Sequence, residues 1–123
     1  ISSDMRDLET AADAGNKKAI LALKMYAYKV KKFIGSYMAA LNGCDLLVFT
    51  GGIGENDFRM RKNICSDMEN LGILFDDSKN DGARGHDIII SRPESRVTVM
   101  AVNTDEEFVI ASDTRYIVEH HTV

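Results

Sequence analysis

Leu46-Leu47-Val48-Phe49-Thr50-Gly51-Gly52-Ile53-Gly54-Glu55-Asn56 is the most informative stretch of this chain. Its four leading residues are apolar and predict a buried strand, and three glycines follow within four positions. Asn56 is predicted to open an amphipathic helix that continues to Leu71, because apolar residues recur there at helical spacing. A strand, a glycine turn and a helix in this order let a ligand reach backbone amides, because no Cβ stands in the way.

Two carboxylates at the entrance of that helix, Glu55 and Asp57, narrow the choice of ligand. A loop that binds phosphate normally supplies positive charge, often a lysine directly after the glycines, and this loop has none. Carboxylates suit a helix N-terminus but repel a polyphosphate that approaches the same amides. The turn therefore favours the ribose or purine portion of a nucleotide. A plain strand-to-helix turn with Asn56 as N-cap explains the spacing equally well.

The glycine turn also resembles that of short-chain dehydrogenases, which carry a Tyr-x-x-x-Lys pair far downstream. Here the pair Tyr28-x-x-x-Lys32 lies upstream of the glycines, on a lysine-rich helix. The acid that would bind a ribose hydroxyl is expected about twenty residues after the turn, at the end of a second strand. Asp76 and Asp77 lie near that distance but within a polar loop. The sequence therefore disfavours a dehydrogenase.

Composition excludes several classes of function. The 123 residues are 45% hydrophobic and 28% charged, with a net charge of −4, and no basic stripe alternates with aromatic residues. We therefore expect no nucleic-acid surface. We also expect no membrane span, because no apolar run approaches the roughly 20 residues that a span needs. Cys44 and Cys65 lie in apolar surroundings and outside any paired motif, which predicts reduced thiols and a cytoplasmic protein.

Strands alternating with helices predict an α/β fold. A short helix around residues 8–12, capped by Ser3 or Asp4, should precede a long helix over residues 17–41. Further strands are predicted at residues 73–75, 88–90 and 97–102, the last of them interior, before a final helix that ends near Glu119. The long helix carries an apolar stripe that is either a core face or a surface for self-association, at Ala19, Leu23, Tyr26, Val30, Phe33, Tyr37 and Leu41.

An acidic turn, Thr104-Asp105-Glu106-Glu107, follows the last predicted strand. Thr104 and Glu107 have the spacing of a capping box, in which each side chain satisfies a backbone amide near the other. Asp105 and Glu106 exceed that requirement, and open α/β sheets bind ligands at the carboxyl ends of their strands. A carboxylate there can hold Mg²⁺ opposite nucleotide phosphates. The residues themselves favour capping over a metal site.

Three ordered motifs give the chain a resemblance to the C-terminal part of acetate kinases. They are Asp4-Met5-Arg6 near the start, Val48 to Asn56 in the middle, and Asn103 to Ala111 towards the end. The resemblance implies a ribonuclease-H-like lobe of the actin, hexokinase and sugar-kinase superfamily, with a mixed sheet flanked by helices. It implies that residues 1–123 form one nucleotide-binding lobe, and that the N-terminal lobe is absent.

The resemblance also implies site residues. Those expected to bind ATP or ADP are Asp4, Met5, Arg6, Gly52, Ile53, Gly54, Glu55 and Asn56. Glu106 is expected to bind Mg²⁺, which at this position takes precedence over the capping interpretation. No catalytic residue is expected within the chain, because the family's catalytic groups lie in the portion that precedes the matched segment.

The implied reaction is phosphoryl transfer from ATP to acetate, which gives ADP and acetyl phosphate reversibly. The isolated chain is expected to be inactive, because phosphoryl transfer requires groups from both lobes. A propionate or butyrate kinase of the same family is one alternative, and a non-catalytic module that binds nucleotide or dimerises is another. The resemblance further implies a homodimer that pairs through this lobe.

Overall fold

A three-stranded mixed sheet joins the middle of the chain to its later part in the computed structural model, which describes residues 2–120. The strands are β1 (Leu46–Phe49), β2 (Ile88–Ile89) and β3 (Thr98–Ala101). Their order is β1-β3-β2, with β3 parallel to β1 and antiparallel to β2. The strand predicted to be interior, β3, is therefore the central one, because it pairs with both other strands.

The helices are α1 (Met5–Asp13), α2 (Lys17–Ala40), α3 (Gly51–Asn56), α4 (Phe58–Cys65), α5 (Asp77–Asn80) and α6 (Glu106–His120). A 3₁₀ turn covers Glu69–Leu71. Asp4 caps α1 by accepting the Arg6 amide, and Asn16 caps α2, as short polar residues do at helix starts. The predicted α/β fold with a mixed sheet and flanking helices is confirmed.

The single helix predicted from Asn56 to Leu71 is wrong. Asn56 ends α3 rather than opening a helix, and Asp57 caps α4 by accepting the Met60 amide at 2.8 Å. The helix stops at Cys65, and Asp67 adopts a positive φ of 55° that no helix accommodates. Local capping and this left-handed residue leave one helix, α4, and a 3₁₀ turn where a single helix was predicted.

The edge strand predicted at residues 73–75 is reduced to one bridge, in which Phe75 pairs with Ser91. The Leu74 amide donates to the Ser95 side chain, at 2.9 Å from Oγ, instead of to the backbone of a neighbouring strand. Asp76 then caps α5, so the backbone turns away after a single paired residue.

The core lies between the sheet and helices α2 and α4. Val97, Val99 and Ile90 are fully buried, and Met60 and Ile64 pack on them from α4. Burial of this kind contributes about 25 cal/mol per Å² of apolar surface. This packing holds β1, an edge strand of the sheet, in place, and with it the glycine segment that follows β1.

Only part of the stripe predicted on α2 is a core face. Ala19 is buried and Leu23 and Val30 are half-buried, whereas Phe33 and Tyr37 are 54% and 64% exposed. The side of α2 that packs on the core continues instead through Ala27, Ile34 and Met38. Within residues 2–120, no helix has the length and apolar character to cross a lipid bilayer.

Candidate functional site

A cleft of about 880 Å³ brings together two of the three sequence motifs. Asp4, Met5 and Arg6 line it from the start of α1. Gly52, Ile53 and Asn56 line it from α3 and are joined by the neighbouring Asp57. Gly54, Glu55 and Glu106 are not among the lining residues, so the fold gathers six of the nine predicted site residues at one cavity.

An arginine–carboxylate pair forms the start of α1. Asp4 accepts hydrogen bonds from the Arg6 amide at 2.9 Å and from Arg6 Nη2 at 2.9 Å. The hydrogen bond from the Arg6 side chain lowers the pKa of Asp4, so this carboxylate stays ionised. The Arg6 side chain is 88% exposed at the cleft, where a planar guanidinium can bind phosphate oxygens.

The glycines of α3 serve different structural ends. Gly51 has a φ of 70°, which side chains rarely allow. A Cβ on Gly54 would lie 3.0 Å from the backbone carbon of Phe49, so this glycine lets α3 pack closely against β1. A Cβ on Gly52 would meet nothing within 4 Å, so its backbone faces open space in the cleft. Of these glycines, Gly52 combines open space at its Cα with a place in the lining of the cleft.

The carboxylates that flank the glycines are both engaged by the protein. Glu55 Oε1 accepts the Gly51 amide at 2.9 Å, so the first amide of α3 already has an anionic partner. Asp57 caps α4 through its Oδ1 atom. Both contacts agree with the charge argument from the sequence, since a polyphosphate would have to displace a carboxylate here.

Six residues that the sequence did not single out also line the cleft: Glu9, Thr10, Asp13, Phe58, Arg59 and Arg84. Glu9 lies on α1, and burial and the nearby Asp57 raise its pKa. The guanidinium of Arg84 lies 5.7 Å from the centre of the Phe58 ring. A planar cation over an aromatic ring can take part in stacking with a base. The polar sequence around Arg84 has no motif that predicts a binding residue, so only the tertiary fold could identify Arg84 as part of the cleft.

Arg61 is another residue that the sequence missed, because a charged residue in a helix normally faces solvent. It is 1% exposed. Its guanidinium donates to the carbonyls of Gly54 and Glu55 at 2.7 and 2.8 Å, and to Asn80 Oδ1 and the Ala83 carbonyl. Burial lowers its pKa. Arg61 thereby fastens the end of α3 to the loop that leads to Arg84.

The acidic turn after β3 differs from the predicted capping box. Asp105, not Thr104, caps α6 by accepting the Phe108 amide at 2.8 Å. The amide and hydroxyl of Thr104 instead donate to Glu55 Oε1, the amide at 2.9 Å. The Thr104 hydroxyl prefers the carboxylate because a charged acceptor makes the stronger hydrogen bond.

Glu106 lies exposed in the first turn of α6 and is not needed for the cap. Across residues 2–120, no three His, Cys, Asp or Glu side chains cluster closely enough to hold a metal by themselves. A lone exposed carboxylate nevertheless suits Mg²⁺, which commonly takes one or two carboxylates and completes its shell with water and substrate phosphates.

Comparison with known proteins shows which family this chain is similar to. The profile of the Acetokinase family matches residues 1–112. The chain is 54% identical over 119 residues to the acetate kinase of Porphyromonas gingivalis, which covers 97% of the chain and 30% of that protein.

Solved structures agree with the sequence comparison. A crystal structure of Porphyromonas gingivalis acetate kinase superposes with a TM-score of 0.87 at 53% identity, over 96% of this chain and 30% of that one. A propionate kinase from Francisella tularensis superposes with a TM-score of 0.77 at 41% identity, over 89% of this chain and 28% of that one. The chain thus spans less than a third of the length of these relatives.

Proposed function

The chain belongs to the Acetokinase family, and from this we propose that it is the nucleotide-side, C-terminal part of an acetate kinase. The whole enzyme would transfer the γ-phosphoryl group of ATP to an acetate oxygen, which gives ADP and acetyl phosphate reversibly. Residues 1–123 would form one lobe of that enzyme, in the cytoplasm.

One observation carries the assignment of the site: the cleft gathers Asp4, Met5 and Arg6 with Gly52, Ile53 and Asn56. Gly52 leaves its backbone open to a ligand, and the carboxylate of Glu55 disfavours phosphate at the same turn. In our proposal the α3 side therefore holds the adenosine portion. Arg6 is the cation for the phosphates.

The remaining predicted residues take supporting places in this proposal. Gly54 sets α3 against β1, and Glu55 belongs to the same nucleotide-binding segment. Glu106 is the residue that would hold Mg²⁺, which would neutralise phosphate charge when bound. This chain contributes binding and orientation, and the catalytic groups would come from the rest of the enzyme.

A substitution at Gly52 tests the adenosine assignment in the full-length enzyme. Gly52→Val adds bulk where the fold has room, so we expect the KM for ATP to rise about tenfold while the KM for acetate stays unchanged. Gly35→Val, in open space on α2, is the matched control. If only the KM for acetate rose, the adenosine assignment would be wrong.

The 123-residue chain by itself should form no acetyl phosphate, because stabilisation of the transferring phosphoryl group needs both sides of the site. A coupled assay with ATP and acetate on the purified chain measures this. Parallel assays of the full-length enzyme with acetate, propionate and butyrate identify the acceptor. Dominant activity on propionate would select the alternative that the Francisella tularensis structure represents.

A homodimer is the second part of the proposal. The exposed apolar side of α2 includes Tyr26, Phe33, Tyr37 and Leu41, and it is available to a second copy. The remaining alternative is a protein that dimerises and binds nucleotide without catalysing phosphoryl transfer. The acetyl phosphate assay on the full-length protein separates this alternative from an acetate kinase.

A further inference from the structure

Glu55 joins two segments that are far apart in the sequence. Its Oε1 atom accepts the amide of Gly51 at 2.9 Å and the amide of Thr104 at 2.9 Å. The hydroxyl of Thr104 donates to the same atom, and that of Thr50 lies at 3.4 Å. One carboxylate oxygen is thus the common acceptor for the start of α3 and the turn that precedes α6.

These two segments carry different parts of the proposed site. Gly51 begins the helix whose Gly52 and Ile53 line the cleft. Thr104 stands two residues before Glu106, the residue proposed for Mg²⁺. Backbone pairing also brings the segments together, because Val102 donates its amide to the Phe49 carbonyl at 2.9 Å. Beyond that bond, the described contacts between the two turns converge on Glu55.

We propose that Glu55 is a positioning residue that couples nucleotide binding to metal binding, through its hydrogen bonds to Gly51 and Thr104. This inference rests on the proposed function. Glu55 does not line the cleft, so its carboxylate acts through Gly51 and Thr104 rather than on the ligand. The arrangement sets the distance between the adenosine side and the metal residue before either ligand arrives.

Charge explains why this position holds a carboxylate. A charged acceptor makes stronger hydrogen bonds than a neutral one, and the bonds from Thr104 hold the pKa of Glu55 below its usual range. Glu55 therefore remains an anion at neutral pH. A direct contact with nucleotide would be unfavourable for the same reason, because phosphate and carboxylate repel each other.

The test is titration calorimetry of the full-length enzyme with ADP, with and without Mg²⁺, for Glu55→Ala and Thr104→Val. We expect the factor by which Mg²⁺ tightens ADP binding to fall about fivefold in Glu55→Ala. It should fall by less in Thr104→Val, because the Thr104 amide still donates to Glu55. The double variant should lose no more than Glu55→Ala alone, because that substitution already removes every bond that Thr104 makes to the carboxylate. Thr104→Ser keeps the hydroxyl and should behave as the wild type. Glu94→Ala, an exposed carboxylate in another turn, is the control.

Three outcomes would overturn the proposal. The first is an equal loss of ADP affinity with and without Mg²⁺, which would make Glu55 a direct nucleotide contact. The second is a normal Mg²⁺ effect in Thr104→Val, and the third is additive losses in the double variant. Failure of the proposed function is distinct, because the wild-type enzyme would then bind no ADP and form no acetyl phosphate.

Discussion

At the scale of single residues, Arg61 shows how a buried cation can support a binding surface. The guanidinium lies among backbone carbonyls and the Asn80 side chain, and it donates four hydrogen bonds to them. Two of those carbonyls, of Gly54 and Glu55, end the helix that lines the cleft. The shape of the cleft therefore depends on a residue that does not line it.

Replacing this arginine should cost stability. Arg61→Met fills a similar volume but leaves several buried acceptors unpaired, and we expect the free energy of unfolding to fall by about 3 kcal/mol. Urea denaturation followed by circular dichroism measures the change. Exposed Arg92→Met is the matched control and should remain close to the wild type. An equal, small effect of both substitutions would show that water repairs the unpaired carbonyls.

Residues of the site were predictable where backbone requirements leave a mark in the sequence. Gly51, Gly54 and the cap at Asp4 are such positions, because a positive φ, a close approach and a helix start each restrict the residue type. Arg61 and Arg84 leave none. Their roles arise from partners far along the chain, which no local pattern encodes.

At the scale of elements, the contact between α1 and the start of α4 places two carboxyl groups together. Burial and the charge of Asp57 raise the pKa of Glu9, which lies on α1. Asp57 Oδ2 is buried and accepts no hydrogen bond from the part of the chain that the structure describes. Protonation of Glu9 would relieve both the repulsion and the unsatisfied oxygen.

Removing the charge of Glu9 should therefore stabilise the fold at neutral pH. A raised folded-state pKa means that ionised Glu9 destabilises the wild type above that pKa. This penalty decreases as the pH falls towards 4.5, the ordinary pKa of a glutamate side chain. We expect Glu9→Gln to raise the Tm by about 2 °C at pH 7 and to lose this advantage near pH 4.5.

Thermal melts of the wild type and Glu9→Gln measure this effect when they are recorded between pH 4 and pH 8 in steps of about half a pH unit. Glu94→Gln removes an exposed carboxylate and serves as the control. A gain from Glu9→Gln that grows on acidification would contradict the sign argued here.

The elements themselves were largely predictable, and their boundaries were not. Periodicity identified α2 and the central strand, because long apolar patterns reflect burial directly. The same periodicity ran through Asp57 and Asp67, where a cap and a left-handed residue divide the helix. The capping box at Thr104 failed because Glu55, nearly fifty positions earlier in the chain, offers its hydroxyl a better acceptor.

At the scale of the whole molecule, the exposed apolar side of α2 is the surface on which the dimer proposal rests. Phe33, Tyr37 and Leu41 are 54%, 64% and 72% exposed on one helix. An exposed apolar patch of this kind usually marks an interaction surface. Periodicity alone could not separate it from a core face, because both present the same spacing of apolar residues.

Charges introduced on this side should prevent pairing. We expect the wild-type chain to sediment as a dimer at about 50 µM, and Phe33→Glu with Tyr37→Glu to shift it to monomer by raising the dissociation constant at least a hundredfold. Lys24→Glu, elsewhere on the exposed surface of α2, is the control for altered charge. A monomeric wild type would remove the dimer proposal while leaving the nucleotide site untouched.

The position of β3 in the sheet has a consequence for biosynthesis. β1 and α3 leave the ribosome long before β3, yet β3 is the strand that pairs with both others. Parallel pairing between distant segments is slow to form, because a long loop must close first. The glycine segment therefore remains without its supporting strand until Thr98–Ala101 has been synthesised. A chain stalled before Thr98 would expose the apolar surface of β1, and it is this nascent form that chaperones would have to protect.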